Sequence, residues 1–267
     1  MGTLVHRLLR LWRGLRTADY RYPAVDITLG TRQLHLVGSI HMGTGNMKPL
    51  PALLTDRLRH ADALIVEADI STGASPFNDS EICPPLAQRL SEQQLHQLQR
   101  RCEELDIDPL RIDTLPAWQI ALMLQAQQAQ RLGLRADCGI DYQLLQAAHA
   151  QQIKVVELEG ALTQLALLNS LADNGLTLLE DTLKHWQTNA RLLQTMISWW
   201  LEAPPGRAGK PDLPSTFSSS LNDLLMTQRN LRWSQFMQGL PPGRYVVAVG
   251  ALHLYGEGNL PDLLNGG

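Results

Sequence analysis

Apolar and polar positions alternate near the start of the chain, and the period then switches repeatedly between two and 3.6. Asp26 to Leu29 and Gln33 to Ile40 read as two strands of a hairpin turning at Gly30-Thr31. Ala63-Leu64-Ile65-Val66 and Ile153 to Val156 are short unbroken apolar runs, the pattern of strands buried on both faces. Tyr245 to Val249, entered from Pro241-Pro242-Gly243, is the last strand. Between these runs the spacing is helical. Leu50 to His60 forms one helix, and Ser91 caps a second to about Leu105 with Gln94 in the capping-box position. Thr114 and Pro116 open a third, to Leu132, and Asp141 caps a fourth, Tyr142 to Gln152. Residues 71–85, rich in Ser, Pro and Asn, read as a loop. From Leu162 to Met237 the chain is almost all helical, with one long amphipathic helix over Leu176 to Leu201 and a break from Pro204 to Pro214.

Strands alternating with helices predict an α/β fold: a central, largely parallel or mixed sheet flanked by helices. A large helical insertion, residues 160–240, precedes the last strand, within a single domain spanning 21–267. Residues 1–20 read as a basic amphipathic helix, with Arg7, Arg10, Arg13 and Arg16 on one face and Leu4, Leu8, Leu11, Trp12 and Leu15 on another. Those arginines interrupt any apolar core of the length a secretory signal needs, and no window approaches the ~20 apolar residues of a membrane span. Packing on its own domain is the favoured reading of this helix, and contact of residues 1–16 with an anionic membrane surface is the alternative.

Composition narrows the picture. A net charge of −3 and a pI near 6.2 carry no electrostatic footprint for nucleic acid. Cys83, Cys102 and Cys138 are far apart with no CxxC, so neither a disulfide framework nor a zinc knuckle is expected. A reducing, cytoplasmic compartment fits them, with membrane contact limited to the periphery of the inner membrane. Cys138 lacks a local base and reads as a structural thiol.

The chemistry lies in a motif that occurs twice. Gly38-Ser39-Ile40-His41 and Gly250-Ala251-Leu252-His253 each follow a strand, and each runs into a glycine-rich turn ending in Asn, at Asn46 and Asn259. Two other strands end in carboxylates, Glu67 in one case and Glu157 and Glu159 in the other. Ligands of open α/β sheets bind at the carboxyl ends of strands, where all of these fall. Two imidazoles with one or two carboxylates match a divalent-metal site with open positions, in which His41, His253 and Glu67 hold the ion and a second carboxylate takes a proton from bound water. Histidine and glutamate acting as acid and base without metal is the alternative. His35 reads as structural, and His6, His60, His96, His149 and His185 as solvated helix residues.

The ordered set Val37-Gly38-Ser39-Ile40-His41-Met42-Gly43, Leu64-Ile65-Val66-Glu67-Ala68-Asp69, Gly139-Ile140-Asp141, Val156-Glu157-Leu158-Glu159, Gln228-Arg229-Asn230 and Val247 to Leu254 resembles the TraB/GumN family, which includes the Tiki metalloproteases. The resemblance spans residues 26 to 264. It implies a fold similar to the erythromycin-esterase and ChaN-like group. It also implies a site where His41, His253 and Glu67 gather with a divalent metal (manganese, cobalt or zinc) to hydrolyse a peptide or protein. Arg229 and Asn230 match the family's Arg-Asn pair and would polarise a carbonyl or hold an anion, with Glu159 in support. Two further functions fit the resemblance: a non-catalytic protein binding a peptide, iron or haem in the same cleft, and a metal-free esterase.

Overall fold

A computed structural model describes residues 20–71, 81–205, 211–256 and 258–266. The basic N-terminal segment and most of the 71–85 loop lie outside the described residues. The hairpin forms as β1 (Ala24–Leu29) and β2 (Arg32–Ser39), joined through Gly30 in the left-handed region at φ +60°. With β3 (Ala63–Val66), β4 (Val155–Glu157) and β5 (Gly243–Gly250), it builds one five-stranded sheet in the order β1-β2-β5-β3-β4. Only the β1–β2 pairing is antiparallel. The sheet is therefore mixed, as the alternation of strands and helices predicts.

β5 sits in the middle of the sheet and is covered on both faces, which is why Val246 to Val249 is unbrokenly apolar. Val246 and Ala248 join a core with Leu54 and Leu58 of α1 (Ala52–Arg59) and Ile140, Leu144 and Leu145 of α4 (Ile140–Ala150). Val247 and Val249 join a second core, on the other face, with Trp233 and Met237 of α9 (Gln228–Gln238). A third core is purely helical. It unites α2 (Glu92–Leu105), α3 (Ala117–Arg131) and α6 (Leu176–Lys184) around Cys102, Trp118, Leu124 and Leu179.

Four local expectations are corrected. β4 is a three-residue edge strand with half-buried valines, not a strand buried on both faces, because among the described residues no strand pairs with its outer side. The capping box at Ser91 and Gln94 forms as expected, but Asp141 does not cap α4. Gly139 holds the cap position there, and Asp141 is the second residue of the helix. The stretch 176–201 breaks at His185 into α6 and α7 (Trp186–Leu201). The last helical stretch contains a π-turn, Asp223–Thr227, between α8 (Ser219–Asn222) and α9. The short helices α5 (Ala161–Asn169), α10 (Leu252–Tyr255) and α11 (Leu260–Asn265) complete the described chain. No helix among the described residues is long and apolar enough to cross a membrane.

Candidate active site

Parallel pairing of β2, β5 and β3 brings their carboxyl ends to one edge: Ser39 lies opposite Gly250, and Val66 opposite Ala248. The two Gly-x-x-His loops are joined there. The Ala251 N–H donates to the Ser39 carbonyl at 2.9 Å. A Cβ on Gly38 would lie 3.1 Å from the Ala251 Cα, so the first motif glycine is what permits this approach.

The loop after β2 is pinned to the start of α4. Gly43 and Arg135 exchange backbone hydrogen bonds, and Ile140 N–H donates to the Ile40 carbonyl at 2.9 Å. A Cβ on Gly139 would fall 2.2 Å from the His41 carbonyl oxygen. This docking sets Asp141 against His41, whose Nδ1 bonds to the Asp141 carboxylate. The His41 ring is otherwise largely exposed, while Asp141 is nearly buried. We expect Gly139→Ala to push the His41 loop away, costing about 1–3 kcal/mol by overpacking and weakening the His41–Asp141 pairing. Unfolding in urea and the His41 ring resonances report the two effects, and a variant matching wild type in both would contradict this packing.

His253 has the opposite setting. It is 4 % exposed, with its ring 4.6 Å from that of Trp233. Its Nδ1 lies 2.7 Å from Asn230 Oδ1, and Asn230 Nδ2 donates to the Gly258 carbonyl at 3.0 Å. The Asn230 amide is thereby fixed with its oxygen toward the ring. In this arrangement His253 is protonated on Nδ1 and bare on Nε2.

Glu67 lies between the two loops. Its Oε1 accepts from the Gly250 N–H at 2.8 Å and its Oε2 from Arg229 Nη2 at 2.6 Å. Arg229 also donates to both oxygens of the buried Glu159, at 2.9–3.2 Å, and its guanidinium sits 4.5 Å from the Trp233 ring centre. The π-turn leads directly into this residue, and π-turns recur at functional sites. Gln164 of α5 reaches toward Glu67 at 3.5 Å.

These surroundings drive the two imidazoles apart. The Asp141 carboxylate raises His41 to about 9, with Glu67 adding to the effect. Burial lowers His253 to about 4, aided by Arg229 and His41 and opposed by Glu67. For Glu67, burial pulls upward, but Arg229, both histidines and the Gly250 N–H outweigh it and hold the carboxyl at about 2. At neutral pH the site therefore contains a cationic His41, a neutral His253 and an ionised Glu67.

Among the expected site residues, His41, Glu67, Glu159, Arg229, Asn230 and His253 all belong to this one connected group. Glu157 does not: it is exposed, and it accepts from the Asp69 N–H at 2.6 Å. The turn-ending Asn259 is a helix cap, accepting from the Asp262 N–H at 2.9 Å. His35 is structural as expected, bonded to Asp26 and Tyr22, whereas His149 pairs with Asp69 at 3.3 Å rather than being simply solvated. Asp141 is the member that the sequence reading assigned to a helix cap. Its signal was the Gly139-Ile140-Asp141 match within the family pattern.

The side chains fit a three-ligand metal centre poorly. Both imidazoles have Nδ1 held by an oxygen acceptor, the usual outer-shell arrangement of metal-bound histidine. Glu67, however, is committed to a guanidinium on one oxygen and a backbone N–H on the other. Among the described residues no three His, Cys, Asp or Glu side chains converge as a ligand set.

The fold and site define an α/β protein with two Gly-x-x-His loops and an Arg-bound glutamate at one edge of its sheet. The chain belongs to the TraB/PrgY/gumN family, whose model matches residues 24–266. It is 59 % identical over 262 residues to "Uncharacterized protein YbaP" of Escherichia coli (strain K12), covering 98 % of this chain and 99 % of that one. The YbaP protein of Shigella flexneri matches with the same identity and coverage. No solved structure matches the chain significantly.

Proposed function

We propose that this chain is a hydrolase, and specifically a peptidase, whose working groups are His41 and Glu67. The observation that carries this reading is the cleft between them. It is lined by Ser39, His41, Glu67, Asp141 and Gln164, with Ala68 and Ile70 at its apolar side, and measures about 20 Å³. That is room for one water molecule. Glu67, ionised and locked by Arg229, would take the proton of the attacking water as its oxygen bonds to the carbonyl carbon. Cationic His41, held by Asp141, would give its proton to the leaving nitrogen. His253 lies behind the cleft and, being neutral, leaves the charge balance to Glu67, Glu159 and Arg229. Family membership supports peptide as the substrate, since the resemblance extends to the Tiki proteases.

Peptide-library cleavage followed by mass spectrometry tests the reading. Cleavage by wild type that falls about 100-fold or more in Glu67→Gln and His41→Ala supports it. Retention of peptides without cleavage would replace it with a binding protein, and cleavage of esters alone with an esterase.

A second reading has a divalent ion (manganese, cobalt or zinc) held by His41 and His253. The Nδ1 anchoring of both rings favours it. Stoichiometric metal in purified protein that disappears in the His41→Ala, His253→Ala double variant would support this reading. Wild type without metal after growth with all three ions would remove it.

A further inference from the structure

We propose that Trp199 and Trp200, at the end of α7, are positioning residues that hold the two Gly-x-x-His loops in one geometry. Adjacent positions on an α-helix point about 100° apart, so one helix end reaches two places. Trp200 Nε1 donates to the Gly38 carbonyl at 3.0 Å, and its ring stacks on Tyr22 at 5.6 Å with planes 16° apart. Trp199 meets the Tyr255 ring edge-on at 5.0 Å. Gly38 is the penultimate residue of β2, just ahead of the first motif histidine's loop, and Tyr255 closes the turn that carries His253. Trp200 therefore grips the strand end that feeds one loop, and Trp199 grips the other loop.

Both tryptophans are buried. The sheet alone does not fix these loops, because β2 ends at Ser39 and β5 at Gly250, before either histidine is reached. At the strand ends Ala251 joins the second loop to Ser39, the first loop is pinned to the segment that opens α4, and α7 holds the end of β2 and the second loop from outside. Farther along the same helical stretch, α9 supplies Arg229 and Asn230, which grip Glu67 and His253 from the inside. A shift of α7 is therefore transmitted to both imidazoles at once.

The kinetic arm of the test rests on the hydrolase reading; the structural arm does not. Trp200→Phe keeps an aromatic ring for Tyr22 while removing the N–H donor and part of the indole, and it should still fold. The expected result is movement of the His41 and His253 ring resonances together with the Tyr255 signals, although the substitution faces only the first loop. Turnover should fall about 10- to 100-fold with KM nearly unchanged. Trp199→Leu, which removes the ring that meets Tyr255, should move the Tyr255 and His253 signals and lower turnover as well, and a wild-type result there would also overturn the proposal. Shifts confined to residues 38–43 after Trp200→Phe, or a lowered melting temperature with both sets of ring signals unmoved, would overturn the proposal. Absence of hydrolysis by wild type would end the hydrolase reading, and the resonance shifts would still decide the coupling.

Discussion

Replacing Arg229 with alanine is expected to destabilise the protein by about 3–5 kcal/mol at neutral pH, the usual cost of removing one partner from a buried ion pair. Arg229 donates to Glu67 at 2.6 Å and to Glu159 at 2.9 Å, and both carboxylates are largely shielded from water, at 12 % and 4 % exposure. Without the guanidinium they face each other across its vacated place, with Arg232 3.6 Å from Glu159 and cationic His41 on the Glu67 side. The sign of the pH dependence then reverses. In wild type the Glu67 pKa is depressed to about 2 from 4.5, so its stabilisation is present above 4.5 and lost as pH falls through 2. In the variant burial and the facing Glu159 carboxylate outweigh the histidines and the Gly250 N–H and raise the folded-state value, so the deficit is greatest at neutral pH and shrinks as pH falls toward about 4.5. Urea unfolding at neutral pH and at about pH 5 measures both effects. A deficit below about 1 kcal/mol, or one independent of pH, would mean that the ion pairs carry little of the site's stability.

Asp141→Asn should move the proton chemistry of His41 while leaving the fold in place, because asparagine can still accept from Nδ1. The carboxylate charge that raises His41 from 6.5 to about 9 is gone, and the ring should titrate near its ordinary value. A histidine with a raised folded-state pKa contributes stability fully below 6.5 and loses it as pH climbs through 9. The stability gap between wild type and variant is therefore expected at about pH 6 and should close above about pH 10. Under the hydrolase reading His41 must be protonated to serve the leaving group. The alkaline limb of the pH–rate profile should then fall by about two pH units, with turnover near pH 8 down about 10- to 100-fold. Ring titration by NMR gives the pKa without any substrate. If His41 still titrates near 9 in the variant, Asp141 is not the source of its charge.

The strands were largely legible because a strand's face is written in adjacent residues, whereas their order came only from the structure. Tyr245 to Val249 read as a strand from its unbroken apolar run, and the hairpin at Gly30 carried its own turn chemistry. Glu67 and the two motif histidines were legible for a related reason: each stands directly behind a strand whose apolar run marks where it ends. The split at His185 and the π-turn before Arg229 were not. Both arise inside stretches of uniform helical spacing, where packing against neighbours decides how the backbone is wound. β4 was read as more deeply buried than it is, since an apolar triplet looks alike at the edge and in the centre of a sheet.

The sequence by itself determined the family, the parallel strand ends and the identity of the groups gathered there. Tertiary structure decided what those groups are. His41 and His253 stand in matching local motifs, yet one is exposed beside Asp141 and titrates near 9, while the other is buried against Trp233 and titrates near 4. The partners responsible, Asp141 and Asn230, lie 100 and 23 positions away in the chain. A side chain's charge depends on its dielectric surroundings and on neighbouring charges, and those are set by which distant elements pack against it. The motif therefore specifies two imidazoles, and the fold makes one an acid and the other a neutral ring.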